Sequence, residues 1–440
     1  MDPPRRRGRV PGAVAPKIDI PSPGHFQAGF YNLWYNASTL KGGDNITKIY
    51  VCDSMMGTGK TSAAINMMNS TPGNYVFVTQ FLSEVERVLK ACKGFKQPAM
   101  SSRERKIDSI RRLFKEQRNI ASTHALFYRY DDDILETVRQ NHYTLVLDEV
   151  IDVLRFLNVS RSDIELLLEA KLIAVDENGR VEWLDDNYSG TFNDIREEIR
   201  SSCVILSENK LMVWTLPTEL FLAFDTVYVL TYMFEAQYQY HYFIVNNIEF
   251  QYITVRKLKN GYKFTTNMEM AAKVPKPIVN IVEGERINAI GKKRTALSVT
   301  WYEHATEEDI ERIKKNMLNL MKKKFACGIQ RFLWSVFLDH KEAVEDDRYK
   351  NGFLSFNARG MNNYGDRDHL AYLVNVFPPP EAVIYFAQQG TNLDIDKFAL
   401  SVMVQWVWRS AIRNGKEIWL YVPSVRMRTL FAEWIQTLTD

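Results

Sequence analysis

The chain has 440 residues, more than one hydrophobic core usually organises, so two domains of roughly 200 residues each are expected. Apolar residues make up 46% and charged residues 25%, which excludes a fibrous or largely disordered protein. A formal net charge of only +3 excludes a polycation, so any nucleic-acid binding must rest on local basic stripes.

The first twenty residues carry Arg5, Arg6, Arg7 and Arg9 among four prolines and lack an apolar h-region, so residues 1–24 read as a basic disordered tail rather than a secretory signal. Phe26, Phe30, Tyr31, Leu33 and Trp34 then recur at helical spacing. Ile46 to Cys52 is a β-branched strand that stops at Asp53, and Thr61 to Asn69 is a helix. A second strand is expected at Asn74–Thr79, a second helix at Glu84–Cys92 and a basic helix at Arg103–Arg118. A short strand follows at Asn119–Ser122 and an apolar one at Tyr143–Leu147. Apolar strands alternating with helices predict a parallel sheet covered on both faces. Residues 155–215 differ: an acidic helix and a hairpin turning at Asn178-Gly179 read as an insertion. The core resumes at Thr226–Thr231. Residues 238–300 read as a β-rich connector, and a second α/β unit fills 301–440. Cys52, Cys92, Cys203 and Cys327 lie far apart, fitting neither a disulfide framework nor a zinc site and pointing to a reducing compartment. No apolar run is long enough for a membrane span.

Two motifs carry chemistry. Asp53-Ser-Met-Met-Gly57-Thr58-Gly59-Lys60-Thr61-Ser62 falls where a strand turns into a helix. Glycines there let successive N–H groups face phosphate oxygens, and the helix N-terminus adds its dipole. Lys60 can reach the β- and γ-phosphates, and the Thr61 hydroxyl can ligate Mg²⁺. Ser54 stands where the full pattern has its first Gly. Leu145-Val-Leu-Asp148-Glu149 places two carboxylates at a strand tip. Asp148 can hold Mg²⁺, and Glu149 can orient the attacking water.

Together these motifs resemble superfamily 2 helicases, and compact bacteriophage-encoded ones above all. The resemblance implies an α/β fold of two RecA-like parallel-sheet domains in tandem, residues 25–237 and 301–440. ATP and Mg²⁺ would be the cofactors, and Gly57, Thr58, Gly59, Lys60, Thr61 and Ser62 the nucleotide-binding residues. It further implies nucleic-acid contacts from Thr79, Gln80, Thr123 and His124, and from Arg359 and Asn362 in Ala358-Arg-Gly-Met-Asn362. Thr231 would couple hydrolysis to domain movement. Gln405-Trp-Val-Trp-Arg409-Ser-Ala-Ile-Arg413 resembles the element whose arginines reach the γ-phosphate, although the second arginine falls at +8 rather than +7 and Trp408 replaces a Gly. On a continuous helix both guanidiniums would share a face.

The implied activity is ATP-driven translocation on or unwinding of DNA, single-stranded or forked, in the cytoplasm, with RNA as the other candidate track. The basic stripes at Arg103–Arg118, with seven basic against three acidic residues, and at Lys314-Lys315 with Lys322-Lys323-Lys324 offer phosphate contacts. Trp301, Trp334, Trp406 and Trp408 are candidates for base stacking or for core packing. A nucleotide-gated switch that remodels a protein partner, and a viral DNA-packaging ATPase, remain open alternatives.

Overall fold

The computed structural model describes residues 46–438 apart from 101–103, 178, 202, 209, 275 and 359–363. The helical stretch expected at 26–34, the turn residue Asn178 and the strand-facing candidates Arg359 and Asn362 lie outside the described residues.

Four apolar runs become strands β1 (Lys48–Asp53), β2 (Asn74–Thr79), β3 (Ile120–Thr123) and β4 (Tyr143–Asp148). The chain then leaves the sheet. In this excursion β5 (Leu154–Phe156), β8 (Cys203–Leu206) and β9 (Met212–Thr215) form a small antiparallel sheet, and β6 (Ile173–Val175) pairs with β7 (Val181–Trp183) as the expected hairpin. The excursion has its own core of Ile164, Leu167, Trp183, Ile199 and Val204. Its helix Arg161–Glu169 begins where the Ser160 hydroxyl caps the Asp163 N–H.

The main sheet resumes with β10 (Thr226–Thr231), followed by β11 (Gln251–Leu258) and β12 (Gly261–Thr265). The seven strands run β12-β11-β1-β10-β4-β2-β3, and every pair is parallel except β11 with β12. Successive side chains point to opposite faces, and both faces are covered. Ile49, Val51, Val76, Val78, Leu145 and Leu147 enter one core, while Cys52, Phe77, Val146 and Leu230 enter the other.

A second sheet, β13 (Val279–Ile281), β16 (Ile418–Tyr421), β15 (His369–Tyr372) and β14 (Phe332–Ser335) in spatial order, is parallel throughout. Leu333, Leu370 and Leu420 face one core, and Trp334, Ala371 and Tyr421 the other. The molecule is therefore an α/β protein with two main sheets, the first mostly and the second wholly parallel. The stretch 238–300 divides its strands between them, because β11 and β12 find open edges on the first sheet and β13 on the second.

The two sheets share side chains. Helix Pro380–Gln388 sends Ala382, Tyr385 and Phe386 into the first sheet's core. Tyr238 stacks on Phe398 with ring centroids 5.4 Å apart at 13°, and Phe398 packs against a core of each sheet. Gln237 donates to the Ser401 hydroxyl at 3.1 Å beside this stack. If Phe398 ties the two cores into one cooperative unit, Phe398→Ala lowers stability by about 2 kcal/mol and splits a single unfolding transition in two. Urea unfolding followed by fluorescence and by far-UV circular dichroism reads both effects.

Candidate active site

Register alone brings much of the site together. Parallel pairing aligns Asp53 with Thr231, Leu230 with Asp148, and Thr79 with both Asp148 and Thr123, so these strand ends share one edge of the first sheet. Crevices at the carboxyl ends of parallel strands are where ligands bind in open α/β sheets.

The loop between β1 and helix Lys60–Ser70 folds as its sequence requires. Gly57 and Gly59 have φ of 85° and 91°, a left-handed backbone that side chains rarely adopt. Ser54 needs no such freedom. Its buried hydroxyl instead lies 3.1 Å from that of Thr254 on β11, which shows why a side chain is accepted where the full motif has glycine. The Lys60 ammonium donates to the carbonyls of Ser54 and Met55, curled back on the loop whose phosphate contacts it would otherwise make. Thr58 closes the turn by donating to the Met55 carbonyl at 2.8 Å.

Thr61 donates to Asp148 Oδ1 at 3.0 Å, so the hydroxyl and carboxylate expected to serve a cation are already adjacent. These are hard oxygen donors of the kind Mg²⁺ takes one or two at a time, completing its shell with water and phosphate. Burial, then the charges of Glu149 and Glu84, push the Asp148 carboxyl up to about 7. Glu149 follows with φ of 84°, held by its N–H to the Leu230 carbonyl at 2.9 Å. A non-glycine residue in that region is strained, and such strain clusters at functional sites.

One cleft of about 320 Å³ gathers Gly57, Gly59, Lys60, Thr61, Ser62, Asp148 and Glu149 with Gln405, Trp408, Arg409 and Arg413 from almost the other end of the chain. The expectation of one continuous helix there is corrected. Helix Ile395–Val407 ends before either arginine, and the Ser410 hydroxyl takes up the Val407 carbonyl at 2.7 Å. Arg409 sits in the following turn and Arg413 in the 3-10 turn Ala411–Asn414. Both still line the cleft, because the turn redirects the chain there.

Other expected residues scatter. Thr79 is buried and lines the same cleft, whereas Gln80 is exposed. Thr123 and buried His124 lie beyond the cleft at the outermost strand, His124 edge-on to Tyr128 at 6.4 Å. Thr231 is fully buried and its carbonyl accepts the Ser54 N–H at 3.1 Å. Trp334 and Trp406 are core residues whose indoles bond the carbonyls of Tyr349 and Leu354, and Trp301 packs against the same core as Trp334. In the first basic stripe, Arg105, Arg111, Arg112 and Arg118 each pair with a carboxylate, among them Asp108, Asp131, Glu104 and Glu116.

Sequence reasoning missed Phe81, Glu84, Arg87 and Tyr262, which also line the cleft. Glu84 and Arg87 form an ion pair at 3.1 Å on helix Leu82–Ala91, and Arg87 reaches the Ser62 hydroxyl at 3.4 Å. Their i, i+3 spacing after a strand was the available signal, too common to be read alone. The structure also adds a network. Asp53 accepts the N–H groups of Met233 at 2.7 Å and Phe234 at 3.0 Å. Tyr232 accepts the Trp434 indole N–H at 3.0 Å, and Trp434 lies edge-on to Trp408 at 5.7 Å.

The raised Asp148 value has a sign. A carboxyl titrating near 7 when folded and near 3.8 when unfolded imposes no penalty below about pH 4 and its full penalty above pH 7. Asp148→Asn, in nucleotide-free protein, is therefore expected to melt above the wild type at pH 8 and to lose that advantage by pH 4. Thermal shift across that range checks it.

Comparison with known proteins gives a family. The SPbeta prophage-derived protein YonV of Bacillus subtilis (strain 168) is 35% identical over 408 residues, covering 88% of this chain and 99% of that protein. Residues 273–435 match the model of the YonV C-terminal Rossmann-like domain, and residues 154–214 that of the YonV middle domain. Among solved structures, an apo form of XPD aligns with a TM-score of 0.48 at 12% identity, covering 90% of this chain and 96% of that one. An XPD helicase aligns at 0.45 and 11% identity, covering 89% and 95%.

Proposed function

The chain belongs to the YonV family, and we propose that it is an ATP-hydrolysing motor that translocates along or unwinds nucleic acid, DNA in the first instance. The observation that supports this most is the single cleft shared by the Lys60 loop, Asp148, Glu149 and the distant Gln405, Arg409 and Arg413. A site that only bound nucleotide would not need arginines from the other sheet.

In this reading the N–H groups of residues 57–62 receive the phosphate chain, and Lys60 leaves the Ser54 and Met55 carbonyls to meet the β- and γ-phosphates. Thr61 and Asp148 would hold Mg²⁺, which would neutralise phosphate charge. Glu149 orients water for in-line attack. Arg409 or Arg413 stabilises charge on the transferring group when the cleft is closed. Thr231 lies between the phosphate loop and Tyr232, so a change at the loop is conveyed to Trp434 in the second half. Thr79, Gln80, Thr123 and His124 are the first-sheet candidates for strand contact. Since YonV is prophage-derived, this reading sets the motor in phage-type DNA replication or recombination in a host cytoplasm.

The discriminating assay is ATPase rate with and without single-stranded DNA or RNA. A motor is stimulated, and that stimulation falls steeply with salt because counterion release governs phosphate contacts. No stimulation by either polymer would favour a switch that remodels a protein partner.

For the arginines, Arg409→Ala or Arg413→Ala is expected to lower kcat by on the order of a thousandfold while changing ADP affinity far less, because the contact belongs to the transition state. Lys60→Ala serves as the reference for lost phosphate binding. Single-turnover hydrolysis and equilibrium nucleotide binding separate the two effects.

A further inference from the structure

The cleft has a polarity that fixes where the nucleoside must lie. Thr61 and Asp148 mark the metal end of the phosphate chain, and Asp148 ends β4, which lies on the β10 side of β1. A linear chain starting there and crossing the Lys60 loop leads away from β4, towards β11 and β12. The side chain waiting on that side is Tyr262.

Tyr262 is placed with care. An ideal Cβ on Gly59 would come within 2.6 Å of the Tyr262 ring, so the ring lies directly against the loop and a side chain at 59 would collide with it. The tyrosine is fixed from behind by Asn66, on the helix that follows the loop, whose Nδ2 donates to the Tyr262 carbonyl at 3.0 Å. That approach needs Gly261, which has φ of 126° and whose added Cβ would meet Asn66 Nδ2 at 2.6 Å. The ring is only half-buried, and its open part lines the cleft.

We infer that Tyr262 is the stacking platform for the nucleobase, so that the edge hairpin β11–β12 supplies the nucleoside half of a site whose phosphate half is the Lys60 loop. This rests on the phosphate-site reading above. A flat aromatic face takes the π-face of any base, so the platform contributes affinity for ATP and GTP alike and little choice between them. The substrate class is therefore a nucleoside triphosphate, with no choice of base set by this contact.

The test uses the full chain with Tyr262→Leu, which keeps apolar bulk against Gly59 but has no π-face, and Tyr262→Phe, which keeps the face. Affinities for ADP, GDP and inorganic tripolyphosphate, each with Mg²⁺, are measured by calorimetry. Tyr262→Leu is expected to weaken ADP and GDP by roughly ten- to a hundredfold and leave tripolyphosphate unchanged, while Tyr262→Phe binds all three as the wild type does. Unchanged ADP affinity in Tyr262→Leu, or equal losses for ADP and tripolyphosphate, would overturn the platform and leave a residue that merely supports the loop. A wild type that fails to bind tripolyphosphate would instead overturn the phosphate-site reading, and the platform with it.

Discussion

Met55 and Met56 occupy variable positions of the phosphate loop, yet both pack against the core of the second sheet, alongside Tyr232 and Met233. The loop is thus built from one sheet and roofed by the other. A nucleotide cannot order the loop without acting on that apolar contact, and the second sheet cannot shift without disturbing the loop. Methionine suits the position, because an unbranched, polarisable side chain keeps contact through small displacements where a branched one would lose it. Asp53 reinforces the arrangement. Burial raises its carboxyl, the N–H groups of Phe234 and Met233 pull it back, and the result ties the end of β1 to the turn after β10. From that turn Tyr232, Trp434 and Trp408 form an unbroken series of contacts to the residue beside Arg409.

The same region holds several local conflicts. Asp148 is raised by burial and by two neighbouring carboxylates, Glu149 has a left-handed backbone, and Lys60 satisfies itself on carbonyls of its own loop. Each is unfavourable or makeshift in the folded chain by itself, and the first and last would be relieved by the ligand proposed above, a polyanion bringing a divalent cation. Buried carboxylates lose their mutual repulsion beside a cation, and Lys60 would exchange neutral acceptors for charged ones, a stronger class of hydrogen bond. On that reading function overrides local stability in the cleft.

Much of this was legible in the residues. Gly57 and Gly59 announce a left-handed loop, and the apolar runs ending in Asp53, Thr79, Asp148 and Thr231 announce parallel strands whose tips share an edge. What the sequence withheld depends on register and on chain reversal. Tyr262 reaches Gly59 because β12 pairs back on β11 at a sheet edge, and nothing in a Tyr-rich alternating segment says which tyrosine will face the loop. Helix Ile395–Val407 could be seen from its apolar spacing, but its end could not, since Ser410 is an ordinary helix residue until its hydroxyl bonds a carbonyl. Charge counting leaves out the partners in the stripe at Arg103–Arg118. Its arginines look available in one dimension, while in three the carboxylates of Glu104, Asp108, Glu116 and Asp131 lie within bonding distance.

Those pairs bear on how a strand could be held. Surface ion pairs contribute only about 0–1 kcal/mol each, so a phosphate can displace a carboxylate from Arg105 or Arg112 at little cost. The displaced carboxylates, however, stay within a few ångströms of the incoming phosphate and repel it. A stripe of this kind gives weak, easily broken contacts rather than a clamp. On the motor reading one such surface is needed, because a strand bound tightly in every state would not advance. Tight holding would then belong to the state in which the cleft is closed, where the two sheets meet across the nucleotide. The Tyr238–Phe398 stack fits that division: it ties the halves at one place, while Met56 and Trp408 line the cleft at another.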